Sequence, residues 1–435
     1  MKIIKSKESF LNISKKLKNS SLFKDSFWAL FGSAFGQGLS LIAGIVVARF
    51  LGKDIYGEYG MIKSTLLNIA IFSTFGLGYT ATKFIAESKN RDKQQVRQIT
   101  LGSINITIVT SSFFAFILFI FSKQIAIYLN AEHLSLSLRI FAITVIFNAL
   151  TTVQIGILAG FNEFKSIAKN KIIVGVITFV SSVVLTYYWD IEGALSALLF
   201  ANLVNCILNN IVVRKQLYLY PHTEQLSGII IKRLLLFSLP ITLQEGIYSI
   251  TTWFTVVLLA KLSNYGEIGL YSAAQQWSAI ILFIPGVLRN VALSHLAGTN
   301  DNEVQHRKIF KRIILVNFLS TLIPCLIVFV FSGFISSFYG ESFIRLPLIL
   351  NISVFSTVFM ALQTVYIQNY MSLNKTWIHF YLSAFFNILT LVLAFLLINR
   401  DTTEGAYMLV LAYLITSVIR LLIYHFVLNY NNRKI

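Results

Sequence analysis

The chain contains little of what a soluble enzyme needs. Only 12% of its 435 residues are charged, whereas 56% are hydrophobic and 37 are phenylalanine. A soluble domain of this length needs far more polar surface, so the composition excludes one. The two cysteines, Cys206 and Cys325, lie in separate apolar runs, and no disulfide is predicted. We therefore predict that the chain lies in a membrane.

Motifs of catalysis and metal binding are also missing. The sequence has no HExxH pair, CxxC pair, Walker loop or GxSxG turn, and its six histidines show no metal-ligand spacing. Loop ends and interfaces are the predicted places for those histidines. Short connections leave little room for the extramembrane site of a membrane glycosyltransferase or polymerase, which is one alternative function. We predict a protein that is not an enzyme and uses neither cofactor nor metal.

Twelve apolar runs have roughly the 20 residues that cross a bilayer. We number them spans 1 to 12, and they lie near residues 27–48, 59–82, 99–121, 138–160, 168–189, 191–213, 235–259, 268–292, 313–335, 346–371, 377–398 and 404–428.

The two halves of the chain repeat each other at an offset of 212 residues. The stretch FNALTTVQI at 147–155 returns as FMALQTVYI at 359–367, with six of nine positions identical. The same offset relates Gly57 to Gly269 and Tyr59 to Tyr271, and we call such residues repeat mates. A repeat of half the chain indicates a transporter made of two related bundles. We predict an all-α membrane protein with a basic arm at 1–24, an N-lobe at 25–213, a linker at 214–233 and a C-lobe at 234–435.

Basic residues are concentrated on one side of the predicted membrane. Of the 36 lysines and arginines, seven fall on the opposite side and Lys63 falls inside a span. Because such residues favour cytoplasmic connections, both termini are predicted to be cytoplasmic. The net charge of +18 is then explained by topology and by anionic lipid head groups, and we expect no nucleic acid to bind.

Glu245 in span 7 is a candidate for ion coupling. It follows Pro240 in the run LPITLQEG, and its repeat mate is Ser33. A charge inside a bilayer is costly unless it faces a partner or water, so such residues are functional candidates. We predict that Glu245 binds H+ or Na+ during transport. A structural pair with a neighbouring lysine is the alternative.

Four cations are candidate substrate-binding residues. Lys63 lies in span 2 and Arg289 in span 8, and both would offer positive charge to an anionic head group if they faced a cavity. Arg49 and Lys261 are repeat mates at the outer ends of spans 1 and 7. Anchoring at the membrane interface is the alternative for all four.

Prolines and small residues are divided unequally between the halves. All five prolines lie in the second half, whereas span 1 carries Gly32, Gly36, Ser40 and Gly44 on one face. Small residues on one face let helices approach closely, and prolines bend helices. This predicts a first bundle of straighter, tightly packed helices and a second of kinked ones, with ordinary packing as the alternative.

Four stretches resemble the oligosaccharide-lipid flippases, the Wzx type, of the multidrug/oligosaccharidyl-lipid/polysaccharide exporter (MOP) superfamily. They are VARFLGKDIYGEYG at 47–60, FGLGYTATKFIAE at 75–87, FSLPITLQ at 237–244 and GLYSAAQQW at 269–277. The resemblance covers essentially the whole chain. It implies two six-helix lobes forming a V around a central cavity, in the inner membrane of a bacterium.

The same resemblance implies a substrate and partners. The substrate would be undecaprenyl pyrophosphate bearing a sugar repeat unit, turned to the outer leaflet for O-antigen or capsule synthesis. It also implies cations along the cavity and coupling to H+ or Na+, with polysaccharide polymerase and chain-length proteins as candidate partners. A cation-coupled multidrug exporter of the same superfamily is the alternative. Its substrates would favour acidic cavity groups, which are few in this chain.

Overall fold

The computed structural model describes residues 21–89, 91–221, 227–297, 299, 302–373 and 375–432. The predicted basic arm, residues 1–24, lies almost wholly outside them. Within the described residues the chain is helical, with three short 3-10 turns and no strand. The all-α prediction is confirmed.

The N-lobe contains six spans, two pairs of which run together as long helices. Spans 1 and 2 form Ser21–Ser73, which divides at Gly52, and span 2 continues as Leu77–Ser88. Span 3 is Lys93–Tyr128, and span 4 is Ser135–Phe141 with Thr144–Gly160. Spans 5 and 6 form Phe164–Leu217, which divides at Trp189 and Asp190. Gly52 has φ +69°, a conformation that glycine adopts without strain, so the sharp turn falls there.

The C-lobe repeats this order. Its helices are Gly228–Leu262 for span 7, Tyr265–Ile281 and Phe283–Ala297 for span 8, Glu303–Tyr339 for span 9, Leu346–Ser372 for span 10, Thr376–Arg400 for span 11 and Gly405–Asn432 for span 12. The predicted twelve spans are thus found among the described residues, six in each lobe. The helices take in both ends of the predicted linker, and its described non-helical residues are 218–221 and 227.

Helix length and exposure both fit a lipid environment. Eight helical segments of the described chain are long and apolar enough to cross a membrane, and two of them, Gly32–Ser88 and Phe164–Leu217, have the length of two spans. Phe116 and Val330 expose more than half of their side chains on the outside of the bundle. Such exposure would be unfavourable in water and is ordinary in lipid.

The N-lobe is not uniformly straight, and the comparison of bending between the two lobes stays a prediction. Span 4 bends by 46° between Phe141 and Thr144, although no proline is present. In the C-lobe, Pro240 and Pro324 lie inside continuous helices. Proline content alone therefore does not decide which helices bend.

Span 2 shows how a helix breaks without proline. Gly76 has φ +62°, which interrupts the helix between Ser73 and Leu77. The hydroxyl groups of Ser73 and Thr74 donate to the carbonyl oxygens of the preceding turn at 2.8 Å each. Glycine permits the conformation and the hydroxyls satisfy nearby carbonyl groups, so the break is stable inside the bundle.

The lobes meet where spans 2 and 8 cross. We call the end of the bundle at which span 6 ends and span 7 begins the linker end, and the opposite end the far end; this crossing lies near the far end. A Cβ atom on Gly57 would overlap the carbonyl oxygen of Tyr265, and one on Gly269 would overlap that of Lys53. Lys53 and Tyr265 are themselves repeat mates, so each lobe presents the same contact to the other. Bare glycine backbones seal the far end.

Spans 2 and 7 extend the contact between the lobes toward the linker end. Trp253 Nε1 donates to Thr65 Oγ1 at 3.0 Å, and Ser249 Oγ donates to Asn68 Oδ1 at 2.8 Å. By contrast, the second half of span 8, Phe283–Ala297, packs against spans 9 and 10 of its own lobe. The lobes are therefore closely packed at the far end and along spans 2 and 7, whereas the linker-end half of span 8 makes its main contacts within its own lobe.

Candidate functional site

Three cavities lie in a row across the two lobes. The central cavity at the seam has a volume of about 510 Å³, the N-lobe cavity about 450 Å³ and the C-lobe cavity about 380 Å³. Lys63, Tyr56 and Tyr59 line both the central and the N-lobe cavity, and Tyr248 lines both the central and the C-lobe cavity. The three cavities therefore lie side by side and share walls.

The C-lobe cavity brings Glu245 and Arg289 together. Both side chains line it and are partly buried. Within the described residues neither forms an ion pair shorter than 4 Å. A carboxylate and a guanidinium group therefore face the same cavity, and both can still form an ion pair or hydrogen bonds with a ligand.

Two further ionisable residues in this cavity were missed by sequence reasoning. Arg420 donates from Nη2 to Ser383 Oγ at 2.7 Å and to the Tyr424 hydroxyl at 3.0 Å. His379 lies 3.2 Å from the same hydroxyl through Nδ1, and it is only 3% exposed. His379 does lie near the loop at the start of span 11, but it is buried there against Gln244 of span 7 and Tyr424 of span 12. The position of Arg420 inside the apolar run LITSVIRLLIY was a signal.

The equivalent place in the N-lobe is closed. A Cβ atom on Gly32 would lie 2.6 Å from the Ala168 Cβ, and one on Gly36 would lie 2.9 Å from the Lys171 carbonyl oxygen. Spans 1 and 5 thus touch through their backbones, as the row of small residues predicted. The repeat mates of Gly32, Gly36, Ala168 and Gly175 are the large residues Gln244, Tyr248, Phe380 and Asn387, and all four line the C-lobe cavity.

The equivalent places in the two lobes also differ in which residues carry charge. In the N-lobe, Lys171 Nζ donates to Ser33 Oγ at 2.9 Å. The repeat mate of Ser33 is Glu245, and that of Lys171 is Ser383. A serine and lysine between spans 1 and 5 therefore correspond to a glutamate and serine between spans 7 and 11.

The polar groups that line the N-lobe cavity are, with one exception, uncharged, and the rest of its wall is apolar. Asn148, Asn202 and Asn205 lie on its wall with Gln37, and Asn148 Nδ2 donates to Asn202 Oδ1 at 2.9 Å. Lys63 is the one charged residue among the described residues that line it. Its Nζ lies 5.5 Å from the centre of the Tyr59 ring, within cation–π range.

Arg49 and Lys261 lie apart from the three cavities. Both are exposed near the far end, and Lys261 Nζ donates to Asn130 Oδ1 at 2.9 Å and lies 4.8 Å from the centre of the Tyr128 ring. Their contact with substrate stays a prediction. No group of three or more histidine, cysteine or acidic residues in the described ranges could hold a metal ion.

The family model described as polysaccharide biosynthesis protein matches residues 22–293, more than half of the chain. The chain belongs to the polysaccharide biosynthesis protein family. A relative from Shigella flexneri, described as a candidate O-antigen transporter, is 24% identical over 369 residues, which are 82% of this chain and 86% of the relative.

Two solved structures share the fold of this chain. An inward-facing multidrug resistance MATE family transporter has a TM-score of 0.77 at 14% identity and covers 91% of this chain and 96% of its own. The lipid II flippase MurJ in an inward closed conformation has a TM-score of 0.74 at 15% identity, covering 94% and 88%. The resemblance inferred from the four sequence stretches is thereby confirmed, together with the arrangement of two six-helix lobes.

Proposed function

We propose that the chain is a flippase that turns undecaprenyl-pyrophosphate-linked oligosaccharide repeat units from the cytoplasmic to the outer leaflet of a bacterial inner membrane. Its linker end, with both termini, would face the cytoplasm. The observation that carries the proposal is the row of three cavities at and beside the seam between the lobes, with two arginines and a glutamate in the C-lobe cavity. Membership of a polysaccharide biosynthesis family and the Shigella relative, described as a candidate O-antigen transporter, support the substrate class.

The C-lobe cavity supplies the chemistry for a pyrophosphate group. Arg289 and Arg420 both line it, and a guanidinium group can donate two parallel hydrogen bonds to phosphate oxygens. Span 8 carries Arg289 in its second half, whose main contacts lie within the C-lobe. A lipid tail would remain in the bilayer while its head group enters the protein.

Transport would proceed by alternating access. The Gly57–Gly269 crossing must separate for release at the far end, because it seals that end in this arrangement. Glu245 is the proposed ion-coupling residue, since H+ or Na+ bound there would cancel the charge that attracts Arg289. Such a change would bias the equilibrium between the two arrangements of the lobes.

Lining charge argues against a lipophilic cation as substrate. Glu245 is the one acidic residue among the described residues of the three cavity walls, and two arginines share its cavity. A cationic drug would meet net repulsion there. A multidrug exporter is therefore the weaker proposal, although the MATE fold is shared.

The test combines a deletion strain with point variants. Cells lacking the protein should accumulate lipid-linked repeat units on the inner leaflet and lose surface polysaccharide. E245Q and R289A should each lower surface polysaccharide at least tenfold at normal protein level, because a charge-assisted hydrogen bond contributes about 1.5–3 kcal/mol. R312A, an exposed arginine of span 9 outside the three cavities, is the matched control. Normal surface polysaccharide in the deletion strain would contradict the substrate assignment.

A further inference from the structure

Span 6 carries a row of asparagines on one face. Asn202, Asn205 and Asn209 are spaced by three and four residues, the spacing of one helix face. Asn209 Nδ2 donates to Asn205 Oδ1 at 3.1 Å, and Asn170 Nδ2 donates to Asn209 Oδ1 at 2.9 Å. Buried amides bond to one another along this row. Asn202 and Asn205, the two members of the row nearer the far end, line the N-lobe cavity.

Several amide groups at that cavity have hydrogen-bonding capacity to spare. Three of these groups have no hydrogen-bond partner among the described residues: Asn205 Nδ2, Asn148 Oδ1 and the Gln37 side chain. All three residues line the cavity. Amide groups inside a membrane are costly unless they find a partner. Their partner must therefore be water or a polar ligand within the 450 Å³.

The fold itself does not require these amides. The repeat mates of Asn148, Asn202 and Asn205 are Met360, Leu414 and Ser417. The C-lobe therefore builds the same six-span bundle with apolar or small side chains where the N-lobe has amides. This difference indicates that the amides serve something other than packing.

We propose that the N-lobe cavity binds the uncharged sugars of the transported head group, an inference that rests on the proposed function. Neutral amides donate and accept hydrogen bonds, which suits the paired hydroxyl groups of a sugar. The rings of Tyr56 and Tyr59 on the same wall provide apolar faces against which sugar rings pack.

The placement of the cavities matches the order of groups in such a substrate. The C-lobe cavity is lined by Arg289, His379 and Arg420 from the linker-end halves of their spans. The N-lobe cavity reaches Val47 of span 1, only a few residues from the far-end turn at Gly52. A head group entering from the linker end would place its pyrophosphate in the C-lobe cavity and its sugars, which are farther from the lipid tail, in the N-lobe cavity.

The experiment measures two binding reactions on the purified full-length protein in lipid nanodiscs. One probe is the free repeat-unit oligosaccharide, released by mild acid from lipid-linked material of the source strain and labelled at its reducing end for fluorescence anisotropy. The other is undecaprenyl pyrophosphate without sugar. Q37L and N205L are the test variants, and N105L, a change at an exposed asparagine of span 3, is the matched control.

Q37L and N205L should weaken oligosaccharide binding about tenfold, with undecaprenyl pyrophosphate binding within twofold of the original protein. N105L should change neither. Q37L keeps the test decisive if N205L fails to fold, because the Gln37 side chain has no described partner to lose. Unchanged oligosaccharide binding in a folded Q37L protein would overturn the sugar site while leaving the proposed function intact. If the original protein bound neither the oligosaccharide nor undecaprenyl pyrophosphate, the proposed function and the sugar site would both be overturned.

Discussion

The crossing of spans 1 and 5 in the N-lobe and the crossing of spans 7 and 11 in the C-lobe occupy equivalent places in the repeat. In the N-lobe, Gly32 and Gly36 bring the two backbones into contact. In the C-lobe, Gln244 and Tyr248 stand at those positions and line a cavity of about 380 Å³. The two lobes share one arrangement of helices, so the size of a few side chains decides whether a crossing is closed or holds a cavity.

The same comparison applies to charge. Lys171 is satisfied within its own lobe by a hydrogen bond to Ser33. Glu245, at the repeat mate of Ser33, faces a cavity and forms no ion pair shorter than 4 Å with any described residue. The N-lobe thus has a hydrogen-bonded lysine at the place where the C-lobe has a carboxylate that faces a cavity. The two lobes therefore share a scaffold and differ in the charge at equivalent places.

The largest expected effect lies where the lobes are still equal. G57A and G269A would each place a Cβ atom onto a backbone oxygen of the other lobe. The cost should exceed the ~1–3 kcal/mol of ordinary overpacking, because backbone atoms cannot move aside as a flexible side chain can. We expect both variants to separate the far end and to abolish transport. The measurement is labelling of a cysteine introduced at Ser64, in the central cavity, by a membrane-impermeant maleimide added from the far side.

Gly286 provides the control for that experiment. It also lies in span 8, and a Cβ atom there would meet no atom within 4 Å. G286A should therefore leave labelling and transport close to those of the original protein. Similar labelling of G57A and the original protein would show that the glycine crossing does not seal the far end.

An exchange of the charged pairs tests the comparison of the lobes directly. S33E alone should be tolerated, because Lys171 Nζ already lies 2.9 Å from the Ser33 hydroxyl and could pair with the new carboxylate. The double variant S33E/K171S copies the C-lobe pair into a closed crossing and leaves the carboxylate without that cation. An unpaired buried charge costs about 3–5 kcal/mol, so the double variant should express poorly and unfold at lower temperature than S33E. Equal thermal stability of the two variants would show that Lys171 does not neutralise this place.

A smaller effect is expected from the glycines of span 1. G36A would bring a Cβ atom to 2.9 Å from the Lys171 carbonyl oxygen and should destabilise the N-lobe by about 1–3 kcal/mol. G38A, two residues away with no atom within 4 Å, should instead be neutral or stabilising by up to about 1 kcal/mol. Y248A, at the repeat mate of Gly36, should change stability little because its side chain borders a cavity. Melting temperatures in detergent would order the three variants, and a G36A protein as stable as G38A would contradict the close crossing.

The order of the spans and the presence of a repeat could be read from the sequence, because apolar length and a constant offset are properties of the chain itself. Glu245 and Arg289 could be found because a charge interrupts an apolar run. Arg420 satisfied the same rule but was counted with the basic residues of the last span and its tail, since depth in the membrane was judged from the sequence alone. His379 could not be placed, because its burial depends on spans 7 and 12 packing over the start of span 11.

The cavities themselves could not be predicted from one lobe at a time. Gly32 and Gly36 predicted a close approach, but the partner helix was not specified by their spacing. A cavity needs two helices to be held apart, so its location depends on pairs of residues from distant parts of the chain. Comparing repeat mates, Gly36 with Tyr248 for example, would have supplied that information, because the two lobes share one arrangement of helices.

The smallest effect should come from Arg49 and Lys261, where the lobes are equal in charge but lie apart from the cavities. Exposed ion pairs and hydrogen bonds contribute about 0–1 kcal/mol, so R49A and K261A should change thermal stability little. Because neither residue lines any of the three cavities, surface polysaccharide should stay within about twofold of the original level in each variant. A tenfold loss in both at normal protein level would instead assign these repeat mates to substrate contact at the far end. In that case the head group would meet a matched pair of cations, one from each lobe, only after the Gly57–Gly269 crossing had separated. The two lobes would then contribute equally to substrate release, although their cavities would bind different parts of the substrate.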